Sequence, residues 1–141
     1  MKEFAYFVQN GDVKKQSADK LLATSLAKDA VHRLQYATAQ KLTESNAKYI
    51  MENAYEALRE LADALLHLEG YKSYSHEASI AFLKKFPLLT ESELNQFDIL
   101  RKKRNGSKYY GEAADIMEAK EALQFANSLL IKLKKLSGIV K

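Results

Sequence analysis

Residues 46–69 read NAKYIMENAYEALRELADALLHLE. Ala47, Ile50, Met51, Ala54, Ala57, Leu58, Leu61, Ala62, Leu65 and Leu68 recur there at three- and four-residue steps, which makes one broad stripe of a helix apolar. Glu52, Glu56, Arg59, Glu60 and Asp63 fall largely opposite that stripe and read as a solvated acidic ridge. Gly70 follows, well placed for the left-handed residue that closes a helix. A helix so clearly two-faced needs other helices to cover its apolar side.

Working outward, residues 13–41 carry a second helical pattern. Leu22, Leu26 and Ala30 step by four, with Ala27, Val31, Leu34 and Ala37 beside them, and Thr43 to Asn46 break the run and supply capping side chains. Downstream, Ala78, Ala81, Phe82 and Leu83 mark a shorter helix over about 76–85, ended by Phe86-Pro87 because the residue before proline is steered out of the α region. Thr90-Glu91-Ser92-Glu93 is a capping box, with Leu89 and Leu94 spaced as a hydrophobic staple. It opens a helix that passes Phe97 and Leu100 and is expected to stop at Asn105-Gly106. A tight connection over 107–114 leads to a last helix with Ile116, Ala119, Leu123, Ala126, Leu130 and Leu133 inward, and Lys132, Lys134 and Lys135 near its negative end. The fold class expected is all-α: an up-and-down antiparallel bundle of four long helices plus one short helix, spanning 13–141. Residues 1–12, where Phe4, Tyr6 and Val8 alternate before Asn10-Gly11, read as an extended segment, with a first helical turn as the alternative.

Composition narrows the chemistry. The chain of 141 residues is one domain by length, and a single Pro with five Gly suits helices better than a many-stranded sheet. With no Cys, disulfide scaffolds, thiolate zinc sites and cysteine nucleophiles are excluded. No apolar run approaches a membrane span, and Met1-Lys2-Glu3-Phe4 does not open a secretory leader, so the expected address is the cytoplasm. There is no Walker loop, dinucleotide fingerprint or Gly-x-Ser-x-Gly elbow, and no cofactor is implied.

The most unusual stretch is Arg101-Lys102-Lys103-Arg104-Asn105-Gly106-Ser107-Lys108-Tyr109-Tyr110-Gly111, with five cations, two tyrosines and no acid. Five exceeds the net charge of the whole chain, +4, so the positive charge is local. A guanidinium offers a planar fork to two phosphate oxygens, and a tyrosine adds a hydroxyl and a stacking face. Arg101, Arg104, Asn105, Lys108 and Tyr110 are therefore the candidate nucleotide- or RNA-binding residues. The alternative is that the cations serve a helix C-terminus and the tyrosines close the bundle end.

Arg104-Asn105 near a helix end, an aromatic a few positions on, a Tyr-Gly turn into a final helix and a long second helix closing at Ala64–Gly70 resemble the HEPN superfamily over roughly Val13 to Leu136. The resemblance implies a homodimer, and a minimal nucleotidyltransferase as partner in a toxin–antitoxin-like pair. Many members are metal-independent endoribonucleases whose signature is Arg, four to six residues, then His. Arg104 matches the Arg and Asn105 the polar residue after it, but Tyr109 and Tyr110 stand where the His belongs. The catalytic pair carried over is thus Arg104 and Tyr109. A tyrosine, with an ordinary pKa of about 10, is a poor proton carrier near pH 7, so the ribonuclease site reads as degenerate. Some members carry a Tyr beyond that His which the partner modifies with AMP. The matching position here is Gly111, and Tyr110 is the nearest candidate. Three readings follow: an RNA- or nucleotide-binding partner of a nucleotidyltransferase, an active metal-independent endoribonuclease, or a non-catalytic helical interaction protein.

His32, His67 and His76 show no spacing that suits metal ligation, and nothing in the sequence directs His32 or His76 toward Arg104. Tyr71 to His76 reads as a polar, aromatic loop.

Overall fold

The computed structural model of the chain describes residues 1–110 and 114–139, with side chains described for 1–106 and 114–139. Among these the chain is mostly helical. The elements are α1 (Phe4–Gln9), β1 (Val13–Lys15), α2 (Lys20–Ala39), α3 (Ala47–Leu68), β2 (Tyr71–Ser73), α4 (His76–Phe82) with a 3₁₀ turn at Leu83–Lys85, α5 (Glu91–Tyr110) and α6 (Ile116–Ser137).

α3 is the central element. It packs chiefly against α2 and α6, and its remaining flank meets β2, α4 and α5. Leu58, Leu61 and Leu66 are wholly buried, each contributing about 1.5–3 kcal/mol through loss of apolar surface to water. α2 offers α3 a row of small residues, Ala23, Ala27, Ala30 and Ala37 with Leu34, which permits close approach. Leu22, expected inside, is 40% exposed: four alanines and Leu34 define the buried stripe.

The capping box forms as the sequence predicts. Thr90 N–H donates to Glu93 Oε1 at 2.9 Å, Glu93 N–H donates to Thr90 Oγ1 at 3.1 Å, and Leu89 and Leu94 are buried beside them. Asp19 caps α2 and Asp115 caps α6 through their carboxylates.

Four expectations need correction. Residues 4–9 are helical rather than extended, because the helix turns Phe7 inward and sets Phe4 edge-on against Tyr71 and Phe82 at 5.3 and 5.2 Å. The helical pattern assigned from Val13 begins only at Lys20: Val13–Lys15 is a strand, antiparallel to Tyr71–Ser73 with Val13 opposite Ser73. Tyr71–Ser73 is accordingly strand rather than loop. Gly70 has a second reason to be glycine besides its φ of +83°, since a Cβ there would lie 2.6 Å from Gln16 O where the two segments meet. Finally, α5 does not stop at Asn105-Gly106 but continues to Tyr110, with Gly106 buried in its interior. A helix-interior glycine costs about 1 kcal/mol relative to alanine.

Candidate functional site

The charged face of α3 is not a solvated ridge. Arginines from other helices reach Glu60 and Glu56, and Arg59 of α3 itself holds Glu56 and Asp63. Tyr55, Glu56, Arg59 and Asp63 lie along the flank of α3 that meets α4 and α5. Arg59 donates from Nε and Nη2 to Glu56 Oε2 at 3.1 and 2.8 Å, and from Nη1 to Asp63 Oδ2 at 2.7 Å. Asp63 Oδ1 accepts from Ser79 Oγ of α4 at 2.8 Å. From α5, Arg104 brings Nη2 to 3.0 Å from Glu56 Oε1 and donates from Nη1 to its neighbour Asn105 at 3.3 Å. Its guanidinium carbon stands 5.6 Å from the centroid of the Tyr55 ring.

Tyr55 organises this cluster. The ring is fully buried, with Phe97 of α5 at 5.8 Å and the imidazole of His76, first residue of α4, at 5.9 Å. Among the described residues its hydroxyl meets no hydrogen-bond partner. Burial, with the Glu56 charge adding to it, pushes this phenol well above its ordinary pKa. Burial also works against the charge of Glu56, but the hydrogen bonds and charge of Arg59, joined by the charge of Arg104, hold this carboxyl below its usual range. Asp63 moves the other way, raised by burial that Arg59 and Ser79 only partly offset. His76 is half-buried and its pKa is lowered, first by burial and then by the Arg59 charge, with Arg104 and Arg101 adding to it against Glu56.

The expected basic corner is changed in two respects. Arg104 is 5% exposed, so it does not line an open cleft as its place in a cationic run suggests. The fold also brings acids to the run: Asp98 receives Arg101 Nε at 2.8 Å and Lys102 at 3.5 Å, and Glu118 of α6 lies 3.5 Å from Lys103. Arg101, Lys102, Lys103 and Arg104 thus each have an acidic partner in space. Asn105 is half-buried beside Arg104. The side chains of Lys108, Tyr109 and Tyr110 lie outside the described residues, as does Gly111. The backbone of α5 puts position 109 about 140° around the helix axis from position 104. A groove near this end, among the described residues, lies between α5 and α6 and is lined by Ile99, Lys103, Glu118 and Phe125.

A second network occupies the α2 side of α3. Arg33 donates from Nε to Glu60 at 2.6 Å, from Nη1 to Asn53 at 3.2 Å and from Nη2 to Asp29 at 3.3 Å. Glu60 is 6% exposed, and burial together with the nearby Asp29 carboxyl pushes its pKa up to about 7 despite Arg33. Asp29, hydrogen-bonded to Glu60, is lowered.

Sequence reasoning missed His76, Tyr55 and the structural role of Glu56. The one usable signal was that Arg59 and the carboxylates at 56 and 63 stand three and four positions apart on one helix. Of the other histidines, His32 is exposed, while His67 is buried with Gln16 Nε2 3.3 Å from its Nδ1. Among the described residues no group of three or more His, Asp or Glu is placed to hold a metal ion, and no helix is long and apolar enough to cross a membrane. No family model, curated protein or solved structure gives a significant match to the chain.

Proposed function

We propose that this chain is a HEPN-type cytoplasmic protein that binds RNA or a nucleotide at the 101–110 end of α5, and that it works as a homodimer with a minimal nucleotidyltransferase in a toxin–antitoxin-like pair. In this reading α2, α3, α5 and α6 form an up-and-down antiparallel bundle, and the motif site is degenerate along the chain because Tyr109 replaces the imidazole. The observation that carries it is Arg104, a guanidinium buried to 5% exposure, fixed by Glu56 and set over Tyr55. A buried ion pair seldom adds net stability compared with apolar packing. Its presence beside Asn105, where the resemblance puts a functional arginine, is better accounted for by a site than by the fold's need for cohesion.

Fluorescence anisotropy with a labelled single-stranded RNA tests the binding part. The natural chain should bind with a strong salt dependence, since phosphate contacts release counterions. Arg101→Ala and Lys108→Ala should weaken binding several-fold without unfolding the protein. Binding unaffected by both changes argues against the site. Co-purification with a nucleotidyltransferase encoded beside it tests the partnership, and mass spectrometry of the 109–110 peptide after incubation with that enzyme and ATP tests modification of Tyr110.

A further inference from the structure

The two-stranded ribbon of β1 and β2 carries a concentration of positive charge of its own. In its register Lys14 stands directly opposite Lys72, and both are exposed. Gln16 N–H donates to Gly70 O and Tyr74 N–H to Asp12 O, both at 2.8 Å. By alternation Lys14 and Lys72 are then a hydrogen-bonded pair, with Cα atoms about 5.5 Å apart. Side chains so placed leave one face of the sheet together, and like charges there weaken the ladder. A ribbon of two strands is marginal to begin with, so this pair opposes the fold it belongs to. Lys15 is exposed beside them, and Asp12, opposite Tyr74, is the one acid within 12–15 and 71–74. Glu69, two residues before β2, is taken by Lys85. No ion pair among the described residues engages Lys14, Lys15 or Lys72. Tyr74 comes two positions after Lys72 and so shares its face. Its side chain is 61% exposed, with Lys72 Nζ 5.3 Å from the ring centroid.

We propose that this face of the ribbon is a second nucleic-acid surface, which holds the backbone of a single strand at Lys14 and Lys72 and stacks a base on Tyr74. Charge and shape together choose the occupant. Two ammonium groups that face each other rather than a carboxylate suit a phosphodiester, whose two free oxygens can each accept a hydrogen bond. The exposed ring offers a flat π-face, which stacks on any base and gives an acidic peptide nothing to match. Point charges on flexible stems with one ring do not read base edges. The surface therefore takes single strands without sequence preference and does not tell ribose from deoxyribose. It is built from elements other than the 101–110 end of α5, and it stands without that site.

The test measures the anisotropy of a labelled single-stranded RNA, and of the DNA of equal sequence, with the natural chain and its variants. The two strands should bind within about threefold of each other. Lys14→Ala combined with Lys72→Ala should weaken binding at least ~10-fold. It should also flatten the plot of log affinity against log salt by about 1.4, the value for two phosphate contacts to a single strand. Lys14→Glu decides most, because it turns the opposed pair into a salt bridge. Its urea midpoint should hold or rise while its affinity falls at least ~10-fold. Tyr74→Ala should weaken binding about 5-fold or more, and should lose the natural chain's preference for the strand over one of abasic sugars. Arg101→Ala should leave each of these effects in place. Polyglutamate of equal charge should compete at least ~10-fold less well than the RNA. No binding of either strand by the natural chain overturns this inference and the α5 reading alike. Binding that Arg101→Ala weakens and the ribbon variants do not overturns this inference alone, and leaves the lysines as guards of a strand edge. Polyglutamate that competes as well as RNA, or Tyr74→Ala at the natural affinity, overturns the assignment to nucleic acid.

Discussion

α3 carries two arginine–carboxylate networks on its two flanks, and they differ in how many guanidinium groups reach the central carboxyl: one at Glu60 and two at Glu56. On the α2 side one guanidinium, Arg33, serves two carboxyl groups, Asp29 and Glu60. On the α4–α5 side Glu56 faces both Arg59 and Arg104, while Asp63 also takes Arg59 and Asp98 takes Arg101. The consequences follow from Coulomb's law in a partly buried setting. Where acids outnumber the base, a carboxyl cannot keep its charge easily and Glu60 rises to about 7. Where two guanidinium groups reach one carboxyl, Glu56 is held ionised, and burial with the arginine charges pushes the imidazole next to it toward neutrality. The first arrangement makes a site that holds a proton, and the second makes a site that is ready to accept one.

The sharpest way to break the comparison is to remove the carboxylate each network depends on. Glu56→Ala leaves Arg59 with only Asp63 and strips the Arg104 guanidinium, 5% exposed, of the Glu56 charge. A loss of about 3–5 kcal/mol is expected, in line with a broken buried pair, read as a lower urea midpoint. Glu60→Gln should cost far less, about 1 kcal/mol or under, since near neutral pH the natural side chain is already half protonated and the amide keeps its shape. Equal losses in the two variants would show that the networks do not differ as their charge balance says.

The pH dependence of stability separates Glu60 and His76 by sign. Glu60 has its folded pKa above the unfolded one, so its contribution is complete below about 4.5 and is lost as pH rises through about 7. His76 has its folded pKa below 6.5, so its contribution is complete above 6.5 and is lost as pH falls through the folded value. Asp29 and Glu56, both lowered, contribute fully above the ordinary carboxylate range and lose that contribution only as pH falls below it. Urea unfolding of Glu60→Gln between about pH 5 and 7 should remove a downward slope of at most ~1.4 kcal/mol per pH unit. His76→Gln should remove an upward one. Slopes that change in the same direction would refute the assignment.

Tyr55→Phe gives a smaller effect and tests what the α5 flank is for. Deleting a buried hydroxyl that has no partner among the described residues should leave stability unchanged or raise it by about 1 kcal/mol. A loss of more than 1 kcal/mol would show that the hydroxyl is already satisfied and is not an open donor.

These networks also mark where reading the sequence succeeds and where it stops. The apolar stripe of α3 and the Thr90–Glu93 box are local: period and spacing within one helix determine them, and both are found as read. The other face of α3 was read as solvated for the same local reason, since nothing within residues 46–69 shows that Arg33 and Arg104 will arrive from chain segments far away. His76 was set aside because its relation to Arg104 exists only once both pack on Tyr55. The strand at Val13–Lys15 was absorbed into a helical pattern for lack of sight of its partner at Tyr71–Ser73. In each case the missing term is a contact between distant segments, which overrides propensity and charge pattern alike. Asn105-Gly106 fails differently: a sound stop signal was outweighed by the burial of Gly106 within α5.

The smallest change is the most specific. Asp29 is the outer arm of its network, with its side chain 56% exposed and its link to Arg33 a one-turn pair on α2. Asp29→Asn should therefore move stability by only a few tenths of a kcal/mol, as exposed pairs do. It should nonetheless lower the pKa of Glu60, because the neighbouring carboxyl that favours its protonation is gone while Arg33 remains. Carboxyl-carbon NMR of Glu60 across the neutral range reads this directly. A fall toward the ordinary value identifies the second acid as the reason Glu60 holds its proton. A Glu60 titration left near 7 would assign the shift to burial alone, and the contrast between the flanks of α3 would then be one of solvation rather than of charge count.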